Sequence, residues 1–219
     1  MRKEIQIVLP FYKIAYSFSF IVILSLIRGV TYTYEIGIAI EVPMAILATV
    51  FCADTYVREI ISKRSEIHRL YPIKKRFFSI LNRILIQEIF LLLLAIIGYG
   101  FFFVFQKPSV YSETGSVRKQ FMIYLFALTI TLFSWGILAN TLSMFFRNMW
   151  LGIGGCLLVW LATDSTWGDK YLGAWNIFSY TFRNAENDRD ITWLYGKILC
   201  VCVCVILMVA LPKIIKKRG

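Results

Sequence analysis

The chain has 219 residues, of which 58% are hydrophobic, and it carries a formal net charge of +11. Its hydrophobic fraction exceeds the roughly 45–50% of soluble domains, and the apolar residues gather into runs of about 20, which excludes an ordinary soluble protein. A high positive charge is also typical of nucleic-acid-binding proteins, but here the basic residues lie between apolar runs, where membrane topology explains them. We therefore expect a polytopic membrane protein with no nucleic-acid partner.

Six apolar runs predict six transmembrane helices, so the expected fold class is an all-α membrane protein whose single domain covers residues 1–219. In chain order the runs are 11–30, 36–56, 78–105, 121–146, 149–163 and 193–211. The opening "MRKEIQIVLPFYK" has basic residues before an apolar run, as a signal peptide does. No small-residue cleavage site follows it, so we interpret the first run as a retained span.

The basic residues alternate in number from one loop to the next. Segments 1–13, 57–83, the turn at Arg147 and the tail from residue 212 hold 16 Lys and Arg, whereas segments 28–35, 106–120 and 164–192 hold seven, balanced by seven Asp and Glu. By the positive-inside rule, this alternation places both termini in the cytoplasm. We expect a multi-pass protein of the plasma membrane, whose anionic lipids attract the basic segments.

The most basic loop, at about 57–77, contains "REIISKRSEIHRLYPIKKR", with seven Lys and Arg. Ile60, Ile67 and Leu70 recur at helical spacing, and Pro72 ends that pattern because the residue before a proline avoids the helical conformation. The pattern predicts a short helix at the membrane surface, followed by a second helix that runs into the third span. A loop that only lies on lipid and sets the topology would show the same residues, so both interpretations stay open at this point.

The longer run "REIISKRSEIHRLYPIKKRFFSILNRIL" resembles the corresponding loop of ABC-2-type transporter permeases. In that family an Arg-Glu pair leads into a short helix with a second Glu, followed by a Leu-containing turn, a Pro and a basic cluster. The residues that match in the same order are Arg58, Glu59, Glu66, Leu70, Pro72, Lys74, Lys75, Arg76 and Arg83. The run departs from the family at Lys63-Arg64, where Gly-Thr is common, and at Leu81-Asn82, where Gly-Lys is common. Together with the six-span layout, the resemblance covers essentially the whole chain.

The resemblance implies that the loop is a cytoplasmic coupling helix, which seats in a groove of a separate ATP-binding subunit. The residues that it assigns to this contact are Arg58, Glu59, Lys63, Glu66, Arg69, Leu70, Tyr71 and Pro72. It also implies a second permease subunit, identical or similar, and cytosolic ABC ATPase subunits that bind the ATP and Mg. The chain itself has no G-x-x-x-x-G-K-[ST] phosphate loop, so we expect a transport subunit without a cofactor of its own, and not an enzyme.

Polar residues within or at the ends of the spans are candidates for a translocation path, because ionisable groups there are costly. These candidates are Arg28, Glu41, Glu88, Asn140 and Lys197. Glu41 can pair with Arg28 or with Lys197 and hold the spans together, or it can contact a substrate; the sequence leaves these alternatives open. Cys200, Cys202 and Cys204 do not predict a metal site, since Cys202 points away from the other two on a helix.

The outer segment 164–192 has aromatic residues spaced 4, 4, 3 and 4 apart: Trp167, Tyr171, Trp175, Phe178 and Phe182. This spacing predicts one face of an amphipathic helix that lies in the outer membrane interface. ABC-2-type permeases are similar in placing short re-entrant helices between their last two spans as an outer gate. An aromatic anchor and a gate are compatible interpretations.

The function expected from these observations is that of a permease subunit in an ATP-driven exporter. Its substrate is expected to be amphipathic or hydrophobic, such as a peptide or a drug, which would suit peptide export or antimicrobial resistance. The alternatives are an ABC-type transporter of a lipid or a lipid-linked glycan, or an ATP-independent channel or carrier. A membrane enzyme is disfavoured because the one histidine, His68, has no Ser, Cys or Asp partner at motif spacing and because no H-E-x-x-H motif occurs.

Overall fold

The computed structural model of the chain describes residues 2–57, 71–110, 117–182 and 190–218. Apart from an isolated β-bridge between Tyr32 and Ser109, the regular structure of these residues is helical. The helices are α1 (Arg2–Val8), α2 (Phe11–Ile27), α3 (Glu35–Cys52), α4 (Ile73–Gln106), α5 (Val117–Phe146), α6 (Met149–Asp164), α7 (Thr166–Leu172), a 3-10 turn (Gly173–Trp175), α8 (Ser179–Phe182) and α9 (Trp193–Arg218).

Four of these helices, α3, α4, α5 and α9, are long and apolar enough to cross a membrane. The apolar helices α2 and α6 are shorter, with 17 and 16 residues. Each predicted apolar run falls on one of these six helices, and the prediction of an all-α, membrane-embedded protein is confirmed. Helix α4, with 34 residues, is about 51 Å long at 1.5 Å per residue and therefore exceeds the ~30 Å hydrocarbon core.

Prolines set the starts of two helices. Pro10 lies immediately before α2, at a position where the N–H that proline lacks would have no partner within the helix. The sequence analysis did not predict α1 as a separate helix. Pro72 has φ −54° and ψ 143° and immediately precedes α4, which begins at Ile73. A helix that starts after Pro72 and continues through the third apolar run was predicted, and the structure confirms it.

The starts and ends of the helices meet at two ends of the bundle. At one end, which we call the proximal end, Lys13 at the start of α2 pairs with Asp54, just after α3. Ile80 of α4 joins Val57 and Ile215 of α9 in an apolar cluster at this same end. Neighbouring helices therefore alternate in direction along the chain from α2 to α4, and α9 returns to the proximal end.

Hydrogen bonds between chain segments define the opposite, distal end. The side-chain amide of Gln106, at the end of α4, donates to the Ser25 carbonyl of α2 at 3.1 Å. The Thr33 hydroxyl, just before α3, donates to the Gln120 side-chain oxygen of α5 at 3.1 Å. At the distal end, these two hydrogen bonds join α4 to α2 and the start of α3 to α5.

Helix α5 lies at the centre of the bundle, where it packs against α3, α4, α6 and α9. The turn into α6 has Arg147 in the left-handed conformation, with φ 54°, and the Asn148 side chain accepts a hydrogen bond from the Trp150 N–H at 2.9 Å. This Asn cap satisfies an N–H at the start of α6 that has no partner within the helix. The tight turn that was predicted at Arg147 is confirmed.

Close packing of α5 on α6 depends on one glycine of the "GIGG" sequence. A Cβ added at Gly152 would lie 2.7 Å from the Ser143 backbone, so the two helices meet closely at this point. A Cβ at Gly155 would make an ordinary contact with Leu142 at 3.4 Å, and one at Gly154 would meet no atom within 4 Å. Of the three glycines, only Gly152 therefore lies where the backbones of α5 and α6 approach closely.

Candidate functional site

A buried ion pair links α3 to α9 in the distal half of the bundle. Lys197 Nζ donates to Glu41 Oε1, and the two residues are 1% and 0% exposed. The same ammonium group donates to Thr131 Oγ1 at 2.7 Å and to the Ile177 carbonyl at 3.0 Å. Lysine has three N–H donors, and all three are used inside the protein.

The carboxylate of Glu41 is bonded through both of its oxygens. Oε1 lies 2.7 Å from the Thr131 hydroxyl, and Oε2 accepts from the Thr181 hydroxyl at 2.9 Å. Burial of charged groups costs several kcal/mol unless they are paired and hydrogen-bonded. Of the two basic residues predicted as partners for Glu41, the structure shows Lys197. Through its hydrogen bonds, the ion pair connects α3, α5, α9 and the segment that precedes α9.

The prediction of one amphipathic helix over 164–192 is wrong for the described part of that segment. The chain forms α7, a 3-10 turn and α8 instead. Helix α7 ends because Gly173 takes a positive φ of 50°, which glycine adopts without the steric cost of a Cβ. The Asn176 side-chain oxygen then accepts from the Phe178 N–H at 3.0 Å, which holds the turn into α8. The five aromatic residues consequently do not share one face.

Aromatic side chains of this segment divide into an exposed and a buried set. Phe178 is fully buried and stacks on Trp135 of α5, with ring centroids 5.8 Å apart and an interplanar angle of 10°. Phe182 is 39% exposed. The side chains that are more than half exposed are Trp167, Tyr171 and Trp175. The exposed set remains available for the predicted interface, whereas Phe178 anchors the segment to the bundle.

The middle of the segment enters the distal end of the bundle. Asn176 is fully buried, and its side-chain amide donates to the Thr163 carbonyl of α6 at 2.8 Å. The Ser179 hydroxyl donates to the Trp193 carbonyl at 2.7 Å. A Cβ added at Gly196 of α9 would lie 1.9 Å from the Asn176 carbonyl oxygen, so the segment touches the backbone of α9 directly.

The remaining membrane candidates do not join the Glu41–Lys197 pair. Arg28 is exposed at the end of α2, where it acts electrostatically on Asp164 at the end of α6. Asn140 is buried on α5, its amide donates to Met144 Sδ at 3.6 Å, and its Oδ1 has no hydrogen-bond partner among the residues that the structure describes. Glu88, on α4, accepts a hydrogen bond from Cys52 Sγ of α3 at 3.6 Å.

A second buried ion pair, at the proximal end, was missed by the sequence analysis. Lys13 and Asp54 are 4% and 6% exposed and bond to each other. Lys13 Nζ also donates to the Phe51 carbonyl at 2.7 Å and lies 4.8 Å from the centroid of the Phe51 ring. Lys13 was taken as one of the basic residues that set the topology. The signal that could have found the pair is Asp54 itself, an acidic residue inside the predicted span 36–56.

Most of the predicted coupling residues lie outside the described residues, namely Arg58, Glu59, Lys63, Glu66, Arg69 and Leu70, as does His68. Tyr71 and Pro72 are described. Tyr71 is 43% exposed, and Lys75 Nζ lies 4.5 Å from the centroid of its ring. Tyr71 and Pro72 thus lie immediately before α4, at the proximal end.

The cysteines of α9 behave as predicted from their helical spacing: Cys202 is exposed, whereas Cys200 and Cys204 are buried. Within the described ranges, no group of three or more His, Cys, Asp or Glu side chains could hold a metal ion. No protein-family model, curated protein or solved structure matches the chain.

Proposed function

We propose that the chain is the membrane-embedded permease subunit of an ATP-driven exporter of the ABC-2 type. In this proposal six helices, α2 to α6 and α9, cross the plasma membrane, and the proximal end with both termini faces the cytoplasm. Cytosolic ABC ATPases bind the ATP and Mg, and a second permease subunit completes the path. The substrate is an amphipathic or hydrophobic molecule, such as a peptide or a drug.

The observation that carries the proposal is the continuity of α4 from the basic loop into the membrane. The helix begins directly after Pro72 and runs without interruption to Gln106. Near its start, Ile80 belongs to a buried apolar cluster that also contains Tyr56, after α3, and Leu211 of α9. A force applied by an ATPase to the loop before Pro72 would therefore reach α4 and, through this cluster, two further helices.

The charge distribution supports the same assignment. A soluble ATPase can act on a membrane subunit through a firmly held element at the cytoplasmic surface, and the most basic loop of the chain leads into the start of α4. Charged residues at such an interface steer and register the partner. Movement of the coupling helix against the bundle would then open or close a path between two permease subunits.

The decisive experiment is to purify the chain with candidate ABC ATPases and to measure complex formation and ATPase stimulation. Glu66→Arg and Leu70→Asp should abolish both, because they place a repulsive or a polar side chain in the proposed contact. Pro72→Ala should weaken stimulation more than association, since it alters the turn that connects the loop to α4. The control is Arg118→Glu, an exposed charge at the distal end, which should change neither.

The rival function is an ATP-independent channel or carrier, and the same preparation separates the two. Substrate movement by the chain alone in liposomes, with no complex with any ATPase, would show that the proposal is wrong. Stimulation of an ATPase by lipid-linked glycans and not by peptides or drugs would keep the permease and correct its substrate.

A further inference from the structure

The six apolar helices that the structure describes fall into two classes of length. Helices α2, α3 and α6 have 17, 18 and 16 residues, whereas α4, α5 and α9 have 34, 30 and 26. At 1.5 Å per residue, the first three are about 24–27 Å long and the others about 39–51 Å. The first three are therefore shorter than the ~30 Å hydrocarbon core of a bilayer, and the others are longer.

The short helices lie together on one side of the bundle. Helices α2 and α6 both pack against α3. The indole N–H of Trp160 in α6 donates to the Val42 carbonyl of α3 at 3.1 Å. At the distal end, Arg28 after α2 acts electrostatically on Asp164, the last residue of α6. Since most of α3 is buried, the outer surface on this side is formed mainly by α2 and α6, and we call it the short side.

The short side exposes apolar side chains and ends at polar residues. Its exposed apolar residues include Phe18, Ile23 and Ile27 of α2 and Leu151, Leu158 and Leu161 of α6. The exposed Arg147 precedes α6 and Asp164 ends it, so the apolar surface of α6 is limited to about 24 Å. Tilting cannot correct this shortness, because a tilted helix spans less of the membrane normal than an upright one.

Aromatic side chains mark both ends of α6 as lipid–water interfaces. Trp150, in the first turn of α6, is 74% exposed, and Trp167, in the first turn of α7, is 69% exposed. Tryptophan is enriched at the headgroup level of membranes. The two indoles therefore indicate that lipid adjoins α6, and that the headgroups of the two leaflets lie about as far apart here as α6 is long.

The surface of α4, in contrast, fits a bilayer of ordinary thickness. Its exposed apolar residues include Leu85 and Phe105, which are separated by about 30 Å along the helix. The two surfaces of one bundle thus require bilayers that differ in thickness by about 5 Å. Lipids next to a helix that is too short adapt to it by local thinning of the bilayer.

We propose that the short side holds the bilayer locally thin and binds phospholipids with short acyl chains in preference to those of ordinary length. Thinning brings the headgroups to the ends of α2 and α6, which leaves Arg28, Arg147 and Asp164 in water. The partner is thus a lipid surface whose hydrocarbon layer matches about 24 Å. This inference goes beyond the proposed function, because it requires only that the helices cross a membrane and not that the chain works with an ATPase.

The test places the full chain in liposomes and measures how lipids compete for each surface of the bundle. Two variants each add one tryptophan to an exposed apolar surface: Leu158→Trp on α6 and Leu93→Trp on α4. Brominated dioleoylphosphatidylcholine quenches an exposed tryptophan on contact, and an unbrominated competitor relieves the quenching. The fluorescence that each variant adds to that of the wild type therefore reports the lipids next to the substituted position.

The two positions should differ in their preference for chain length. In the Leu158→Trp variant, dimyristoleoylphosphatidylcholine should displace the brominated lipid roughly two- to fivefold better than dioleoylphosphatidylcholine, because the longer chains leave about 5 Å of mismatch. In the Leu93→Trp variant, the shorter lipid should have no such advantage, since the α4 surface already matches an ordinary bilayer.

A double substitution tests whether the polar ends set the thickness. Arg28→Leu/Asp164→Leu extends the apolar surface of both α2 and α6, so it should reduce the preference for the shorter lipid that the Leu158→Trp reporter shows. The control is Arg118→Leu/Asp169→Leu, which removes one charge of each sign from exposed positions outside the short side and should leave that preference unchanged.

Three results would overturn the inference. Equal competition by the two lipids at Leu158→Trp would show that the short side does not select chain length, and the same preference at Leu93→Trp would show that the thinning is not local. An absence of quenching at Leu158→Trp would show that a second copy of the chain covers this surface in place of lipid. The two reporter variants decide the matter even if a double variant fails to fold. An absence of ATPase association in the experiment above would leave these outcomes unaffected, so the two proposals fail separately.

Discussion

Replacement of Lys197 by methionine should be strongly destabilising, and the contacts set its size. The change removes three donated hydrogen bonds, to Glu41, Thr131 and the Ile177 carbonyl. It leaves the carboxylate of Glu41 fully buried without a cation. Loss of one partner of a buried ion pair costs about 3–5 kcal/mol, which corresponds to roughly a hundredfold to several-thousandfold change in the unfolding equilibrium.

The free energy of unfolding can be measured in mixed micelles with increasing fractions of a denaturing detergent, followed by tryptophan fluorescence. The double variant Glu41→Met/Lys197→Met removes both charges together, and apolar replacement of a whole buried pair is often neutral. The double variant should therefore recover most of the stability that Lys197→Met loses. The control is Lys170→Met, since Lys170 is exposed on α7 and its loss should change stability by less than about 0.5 kcal/mol.

Two results would refute this reasoning. One is a Lys197→Met variant as stable as the wild type, which would mean that the pair is not buried in the folded protein. The other is a double variant no more stable than the single variant, which would mean that the cost comes from lost packing and not from an unpaired charge.

Three further predictions concern the packing of the bundle. Gly196→Ala should lower the midpoint of thermal unfolding in detergent, because its Cβ would lie 1.9 Å from the Asn176 carbonyl oxygen. Overpacking of this kind costs about 1–3 kcal/mol. The control is Gly154→Ala, whose Cβ would meet no atom within 4 Å. Phe178→Ala should lower the free energy of unfolding by about 3–5 kcal/mol because it removes a fully buried ring, while Trp167→Ala, at an exposed ring, should leave it nearly unchanged. Equal effects of the two variants would contradict the burial of Phe178 in the bundle. Asp54→Asn should cost about 3–5 kcal/mol by leaving Lys13 buried without its carboxylate, and a wild-type unfolding curve would argue against the proximal pair.

The helices of the bundle could be predicted from sequence because their signals are local. Apolar runs of sufficient length and the position of Pro72 depend on neighbouring residues alone, and α4 begins where that proline indicates. The choice of Lys197 over Arg28 as the partner of Glu41 is different. It depends on which helix ends meet in space, and two basic residues at similar depth give the same sequence signal.

The prediction of a single helix from the aromatic spacing after α6 was wrong for a related reason. A spacing of 4, 4, 3 and 4 indicates one helical face only if the backbone remains helical throughout. Gly173 ends α7, and Asn176 bonds across to the Thr163 carbonyl, which turns the chain into the bundle. The glycine and the asparagine were visible in the sequence, but the bond that makes them a turn joins different parts of the chain.

The distance along the chain between Glu41 and Lys197, 156 residues, has a consequence for biosynthesis. Lys197 lies in the first turns of α9, and a charged side chain within a membrane-spanning helix is costly until it is paired. Glu41 is made long before Lys197, and it stays without its partner until α9 is inserted. Helix α9 therefore supplies the cation for Glu41 only after α3 and α5 have been made, and a chain truncated before α9 would present an unmatched carboxylate to membrane quality control.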